Sequence, residues 1–334
     1  MDVIKAQKSR SGSLIALLVL GVVFAGAAIY FLMPGPVHTI RLGAYEGDVG
    51  ALEWIAKDKG FFDQVRLNVD IKGYPSGDAA VKAMHAGEVD IATAAELVVA
   101  KRSFDEKNLR ILAGICRYWN KGFIGRKDHG ITTHFDLKGK KIAFPATSSA
   151  EHNLVVFLAL QGLTLEDVEP VNLAPKQIVE KTISGEVDAA LVWEPHVSAI
   201  EDALGDNAVK LMERGTEANL LLVGRQEHLD AQSQAIQKLL KGLILAEDWV
   251  RANPEEAKAY LVKRFALDAI YIDKLWPRMQ LAVSLPQEIL EAMDSVSRWI
   301  AKANNKEQIP NYAETIRAAE LRAVKPAAVG VFTK

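Results

Sequence analysis

Gly87-Glu88-Val89-Asp90 recurs as Gly185-Glu186-Val187-Asp188, a shift of 98, and residues upstream of both copies correspond at nearly the same spacing. Ile40 in the apolar run 39–44 answers to Ile142 in the run 140–144, Gly60 to Gly162, and Val69 to Val171, each at a shift of 102. Loss of four residues ahead of the second tetrapeptide reconciles the two shifts. Landmarks held in register in this way mark one structural unit used twice.

Each unit reads as strand, helix, strand, helix, strand. In the first, residues 39–44 form a strand, and 51–59 an amphipathic helix stopped by Gly60, whose tolerance of positive φ suits a helix C-terminus. Residues 67–71 alternate as a strand does, Ser76-Gly77-Asp78 opens a helix to residue 86, and 89–94 is a buried third strand. The second unit repeats the order over 140–144, 150–161, 168–173, 176–184 and 187–193. Strands alternating with helices predict an α/β fold of two similar doubly wound lobes with parallel-rich sheets and right-handed crossovers. Ligands of such sheets collect at the carboxyl ends of the strands.

From residue 230 the pattern is helical. Ile236, Leu239, Leu240, Leu243 and Ile244 make one apolar stripe, Asn253-Pro254-Glu255-Glu256 starts a further helix, and Pro286 opens another carrying Ile289, Leu290, Met293, Val296 and Ile300 on one face. Trp249, Trp276 and Trp299 fall in this part and read as packing residues. Residues 321–334 form a tail without a clear period from Lys325 on.

The N-terminus sets the compartment. Residues 14–33 are twenty residues without a charge behind Lys5, Lys8 and Arg10. At 1.5 Å per residue such a run crosses a bilayer core of about 30 Å. The reading is a short basic cytoplasmic segment (1–12) and an uncleaved signal anchor (13–33) in the cytoplasmic membrane, with a cleaved signal peptide as the alternative. Either way the chain from residue 38 is exported to the periplasmic or extracellular face. The sole cysteine, Cys116, forms no internal disulfide and reads as a small buried hydrophobe.

Composition sets further bounds. With 334 residues, 49% of them apolar, the chain can bury two cores. A net charge of −2 and the lack of basic runs beyond the N-terminus exclude a nucleic-acid partner. Gly-x-Ser-x-Gly, His-Glu-x-x-His and Gly-x-x-x-x-Gly-Lys are absent, so neither a hydrolase elbow, a zincin site nor an ATPase motor is written here. His152 and His196 stand near Glu151 and Glu194, but at no spacing diagnostic of zinc. No metal or cofactor is expected.

A family resemblance rests on the segment 52–60 with Phe61-Phe62, then Gly73-Tyr74-Pro75-Ser76-Gly77, Ala86-Gly87-Glu88-Val89-Asp90 and Asp136-Leu137-Lys138-Gly139-Lys140-Lys141-Ile142. It continues through Ser184-Gly185-Glu186-Val187-Asp188-Ala189-Ala190 and Val192-Trp193-Glu194-Pro195-His196. In order and spacing these resemble the periplasmic solute-binding proteins of ABC importers, in the group serving nitrate, taurine, alkanesulfonates and thiamine precursors. The resemblance covers roughly residues 39–265. It implies a type II binding fold, with lobe 1 over 38–120 and 220–320, lobe 2 over 121–219, crossings at 117–124 and 220–223, and C-terminal helices packed on lobe 1. It also implies a non-enzymatic receptor that closes on a small polar organic solute and delivers it to a membrane permease driven by a separate ATPase. A membrane-anchored sensor is one alternative. The other is a pyrimidine-synthase-like enzyme of the same fold, whose cysteine-rich segment has no counterpart beside Cys116.

The strand ends select the candidate ligand-binding residues: Tyr45, Glu46, Ser76, Gly77 and Glu96 in the first lobe, Trp119 at the crossing, and Thr147, Ser148, Ser149, Trp193 and Glu194 in the second. Ser76, Gly77, Thr147, Ser148 and Ser149 stand at helix starts, where free N–H groups suit an anion, or where serine simply caps the helix. Glu46 and Glu96 suit an amine inside the cleft or point to solvent at its rim, with Tyr45, Tyr118, Trp119 and Trp193 offering aromatic faces. Glu194 doubles as a helix-start residue ahead of Pro195. The carboxylates favour a nitrogenous or zwitterionic solute, whereas the resemblance favours sulfonates or nitrate.

Overall fold

The chain alternates strands and helices through two mixed sheets. The computed structural model describes residues 37–146, 148–212 and 217–331; the segment 1–12, the anchor 13–33 and Thr147 lie outside the described residues. Along the first half run β1 (His38–Tyr45), α1 (Ala51–Asp58), β2 (Leu67–Tyr74), α2 (Gly77–His85), β3 (Ile91–Ala95), α3 (Glu96–Ser103) and β4 (Leu109–Tyr118). Next come β5 (Lys121–Arg126), β6 (Lys141–Phe144), α4 (Ser149–Leu160), β7 (Glu169–Asn172), α5 (Pro175–Ser184), β8 (Ala189–Trp193), α6 (His196–Leu204) and β9 (Ala208–Met212). The remainder holds β10 (Ala218–Arg225), α7 (Ser233–Ala252), α8 (Pro254–Phe265), α9 (Ala269–Leu275), β11 (Met279–Ser284) and α10 (Gln287–Ala303).

The first sheet has the order β11-β4-β10-β3-β1-β2 and the second β7-β6-β8-β5-β9. Both carry the repeated unit as their β2-β1-β3 or β7-β6-β8 half. Within that half, β1/β3, β6/β7 and β6/β8 are parallel. Outside it, β10 runs antiparallel to β3 and β4, and β5 to β8 and β9. The sheets are therefore mixed and not parallel-rich, because the strand beside each repeated unit arrives from the other sheet and runs against it.

The duplicated tetrapeptide has a physical cause in its aspartate. Asp90 N–H donates to the Arg41 carbonyl at 2.8 Å while its carboxylate accepts the Arg41 N–H at 2.9 Å. Asp188 repeats this on Lys141, at 2.9 and 2.7 Å. In both units the side chain supplies a rung at the start of a parallel strand pair, where the backbone ladder has not yet begun. Gly87 (φ +75°) and Gly185 (φ +84°) sit just before it in the left-handed region that ends the preceding helix. Register also adjusts the alignment read from sequence. Leu42 lies opposite Ile91, as Ile142 lies opposite Ala189, so Leu42 and not Ile40 is the equivalent of Ile142.

The chain leaves the first sheet after Tyr118 and enters the second at Lys121, with Trp119 and Asn120 between. It returns between Met212 and Ala218. The run 220–223, read as the second crossing, lies inside β10, fully paired with β3 and β4. Its continuous apolar character reflects burial on both faces of a central strand.

One core spans the first sheet and takes in Ile236, Leu239, Leu240 and Leu243 of α7 and Ile289, Met293, Val296 and Ile300 of α10. Two smaller cores cover the faces of the second sheet. The C-terminal segment is packed through Val331, which is 3% exposed. Lys325 Nζ reaches the buried Glu247 carboxylate at 2.6 and 2.7 Å, and Leu285 N–H donates to the Ala328 carbonyl at 2.8 Å. Residues 321–331 thus close the body through single contacts that leave no periodic pattern in the sequence. Among the described residues no helix is long and apolar enough to cross a membrane.

Candidate functional site

The carboxyl ends of β1, β3, β4 and β8 converge on a cleft of about 460 Å³ between the two sheets. From the first-sheet side come Tyr45, Asp48, Ser76, Gly77, Ala95 and Tyr118; from the second come Lys121, Ser148, Ser149 and Trp193. Two helices start at this cleft. Ser76 caps α2 by accepting the Ala79 N–H at 3.2 Å. Ser148 caps α4 by accepting the Ala150 N–H at 3.1 Å, while its hydroxyl donates to the Pro145 carbonyl at 2.5 Å. The serines thus both cap and line the cleft. Gly77 permits the close approach of α2 to β3, since a Cβ there would lie 2.6 Å from the Ala94 Cα.

The cation of the cleft is the protein's own Lys121. It is 6% exposed, and its Nζ has no hydrogen-bond or ion-pair partner among the described residues; the Tyr118 ring centre is 6.0 Å away. Burial holds its ammonium below the ordinary lysine value of 10.5, and the Glu96 charge opposes that shift. An unpaired buried ammonium is costly, and an anionic ligand would relieve that cost. Asp48 also lines the cleft, but its carboxylate already accepts the Tyr271 hydroxyl at 2.5 Å and the Val49 N–H at 2.8 Å.

Several sequence candidates stand elsewhere. Glu46 is exposed outside the cleft, 3.3 Å from the Arg264 guanidinium. That pairing joins residues 218 apart and has no local signal. Glu96 is buried and lines not this cleft but the compartment adjoining it, accepting the Asn219 N–H at 2.6 Å, and burial pushes its carboxyl up to about 7 against the pull of Lys121. Trp119 does not line the cleft: its N–H bonds the Arg278 carbonyl at 2.8 Å and its ring meets Arg117. Tyr118, next in the strand, points the other way and lines the cleft instead. Glu194 is 8% exposed and caps α6 through the Ser198 N–H at 3.0 Å, with Arg278 3.7 Å away. The helix begins at His196, so Pro195, joined by a cis peptide, precedes it. Thr147 lies outside the described residues.

Lys121, Asn120 and Asp48 are site residues that the strand-end argument missed. A lysine opening the strand Lys121–Arg126, ahead of the apolar run Gly122-Phe123-Ile124-Gly125, was the available signal. A second compartment of about 320 Å³ adjoins the cleft through Leu97, Lys121 and Ser149. Cys116 is 1% exposed and lines neither compartment, and burial raises its thiol well above the ordinary value. Among the described residues no three His, Cys, Asp or Glu side chains group as a metal site.

Comparison with known proteins places this geometry. The taurine-binding periplasmic protein of Escherichia coli K12 is 26% identical over 215 residues, 64% of this chain and 67% of its own. The crystal structure of the periplasmic aliphatic sulphonate binding protein SsuA from Escherichia coli superposes with a TM-score of 0.72 at 19% identity, covering 85% of this chain and 92% of that one. The same fold also carries an enzyme: the crystal structure of the desulfurization enzyme DSZB superposes at 0.61 with 14% identity, over 87% of this chain and 99% of that one. The two-sheet architecture is that of the periplasmic binding proteins. The profile of the NMT1/THI5-like family matches residues 51–257, most of both repeated units, and the chain belongs to that family.

Proposed function

We propose that this chain is the extracytoplasmic solute-binding component of an ABC importer and that its cleft takes a small organic anion of the sulfonate or carboxylate type. The observation that carries the reading is Lys121: a buried ammonium with no hydrogen-bond or ion-pair partner among the described residues, facing the same cavity as two serine-capped helix N-termini. Tyr45, Tyr118 and Trp193 give that cavity apolar walls for the organic part of the solute. The taurine- and sulphonate-binding relatives point to the same chemistry. With Glu46 exposed outside the cleft and the Glu96 carboxyl set against the protein's own Lys121, the argument from those two glutamates for a nitrogenous solute weakens.

Closure would draw the second-sheet residues Lys121, Ser148, Ser149 and Trp193 onto a solute resting on the first-sheet wall. Differential contact of this kind favours the closed state. The closed form would dock on a permease in the cytoplasmic membrane, a separate ATPase supplying the work. Residues 13–33 would tether the receptor to that membrane on its periplasmic face. The burial of Cys116 away from the cleft speaks against thiol catalysis by the fold's enzymatic branch.

Isothermal titration of the full-length protein with butanesulfonate tests the reading. Saturable one-to-one binding that Lys121→Met weakens supports it. Binding that is absent for every small sulfonate and carboxylate tried, or indifferent to Lys121, overturns it.

A further inference from the structure

One segment of the first sheet's side reaches both walls of the cleft. It is α9 with the turn after it, residues 269–278, which lead the chain into β11. Its base is fixed in the first sheet's core: Ile272 is 1% exposed there, and Met279, directly after the segment, pairs with Tyr118 of β4. Tyr271, Lys274 and Arg278 are spaced three and four residues apart, which sets them along one side of the segment.

Each of the three meets a different part of the frame around the cleft. Tyr271 donates its hydroxyl at 2.5 Å to Asp48, on the first-sheet wall. Lys274 Nζ lies 3.3 and 3.4 Å from the Asp202 carboxylate of α6, which belongs to the second sheet's side. Arg278 stands at the crossing. Its carbonyl accepts the Trp119 N–H at 2.8 Å, and its guanidinium is 3.7 Å from the buried Glu194, the residue after cleft-lining Trp193. These contacts belong to a conformation in which both sheets line one cavity. Swinging the second sheet away would part Lys274 from Asp202 and Arg278 from Glu194, whereas Tyr271 and Asp48 would stay together. Contacts made in one conformation and lost in another bias the equilibrium towards the first.

We propose that residues 269–278 are a strap across the two sheets that holds the walls of the empty cleft at ligand-binding distance, with Lys274 and Arg278 as positioning residues that touch no solute. Ile272 and the Tyr271–Asp48 bond anchor the strap, and the two cations draw the second sheet towards it. The inference rests on the solute-binding reading of the cleft and adds what sets the resting separation of its walls. A receptor whose competent conformation is only partly populated binds more weakly by that fraction, so the strength of the strap enters Kd directly.

The test uses the Lys274–Asp202 pair, because both residues are exposed and exchanging them leaves the core intact. In the full-length protein Lys274→Asp sets two carboxylates against each other and Asp202→Lys two ammonium groups, while the double exchange restores the pair with its charges reversed. Spin labels on Asp70→Cys and Glu169→Cys, exposed on strands β2 and β7, report the separation of the sheets by pulsed electron resonance. Without ligand, each single exchange should move the distance distribution away from the parent's, and the double exchange should return it. Calorimetric titration with butanesulfonate should follow the same order. Kd should rise roughly two- to fivefold in each single exchange, the scale of one exposed ion pair, and recover in the double. Single exchanges that match the parent in both measurements, or a double exchange that does not recover, overturn the strap. Failure of the parent to bind butanesulfonate overturns the anion reading of the cleft, and the distance measurement then decides the strap by itself.

Discussion

Replacing Lys121 by methionine separates ligand binding from stability, because the same ammonium is expected to help one and harm the other. In the ligand-free protein it is 6% exposed without an ion-pair partner among the described residues. Methionine keeps the length and removes the charge. The loss to an anionic ligand is one charge-assisted hydrogen bond, about 1.5–3 kcal/mol. That corresponds to a rise in Kd of roughly 10- to 150-fold. Stability should move the other way, with Tm unchanged or higher, since a buried charge with no hydrogen-bond or ion-pair partner among the described residues, offset only by the Glu96 charge, is replaced by an apolar group. The pH dependence follows with a definite sign. Burial lowers the folded-state value of Lys121 below 10.5, so the unfolded chain binds more protons between the two values. The penalty is fully present below the folded value and is relieved as pH rises towards 10.5. Anion affinity needs the protonated form and so declines over that same rise. Calorimetric titration with butanesulfonate and thermal melts of parent and variant measure both effects. A Kd within about twofold of the parent would refute the role of Lys121, being far less than one charge-assisted hydrogen bond is worth.

Three further outcomes follow from the placement of single side chains. Glu53 is wholly buried without a counter-charge, and burial raises it from 4.5 to about 8 against the opposing effect of the neighbouring Thr93 hydroxyl. Its penalty is absent below the unfolded value and grows as pH rises to the folded one. Glu53→Gln should therefore stabilise by on the order of 3 kcal/mol near pH 7 and by little at about pH 4, as read by urea unfolding. A destabilised variant at neutral pH would show that the carboxylate is needed. Trp193 lines the cleft whereas Trp119 does not, so ligand-induced change in tryptophan emission should disappear in Trp193→Phe and persist in Trp119→Phe. The reverse pattern would place the ligand elsewhere. Glu46→Gln should leave Kd within about twofold, because the exposed carboxylate pairs with Arg264 outside the cleft.

The sequence exposed the repeated units almost to the residue, because their boundaries depend on local chemistry. Gly87 and Gly185 end helices through their own φ, and Asp90 and Asp188 bond strands already close by in the unit. The site was legible where it obeyed the same local logic. Ser76 and Ser148 cap helices that start at strand ends, and a strand end in a doubly wound sheet faces the cleft. It was illegible where a side chain's surroundings come from far along the chain. Glu46 has its charge answered by Arg264, and Glu96 receives the Asn219 N–H 123 residues away. Neither partner can be inferred from the strand that bears the glutamate.

The crossing between the sheets shows the finest grain of this limit. Tyr118 and Trp119 are adjacent aromatics where the first sheet ends, and the orientation of that strand end decides which lines the cleft. Parity there is fixed by the pairing of Tyr118 with Ala218 and Met279, strands one hundred or more residues downstream. Lys121, the first residue of the next strand, lies opposite Trp193 in the second sheet, and both line the cleft. A buried lysine at the head of β5 is therefore the residue on which the proposed anion site most depends, since only the Glu96 charge and the Tyr118 ring offset its burial. Its charge costs the empty protein free energy that a bound anion would offset, and on the proposed function that is the reason for a lysine, and not a leucine, at the opening of that strand.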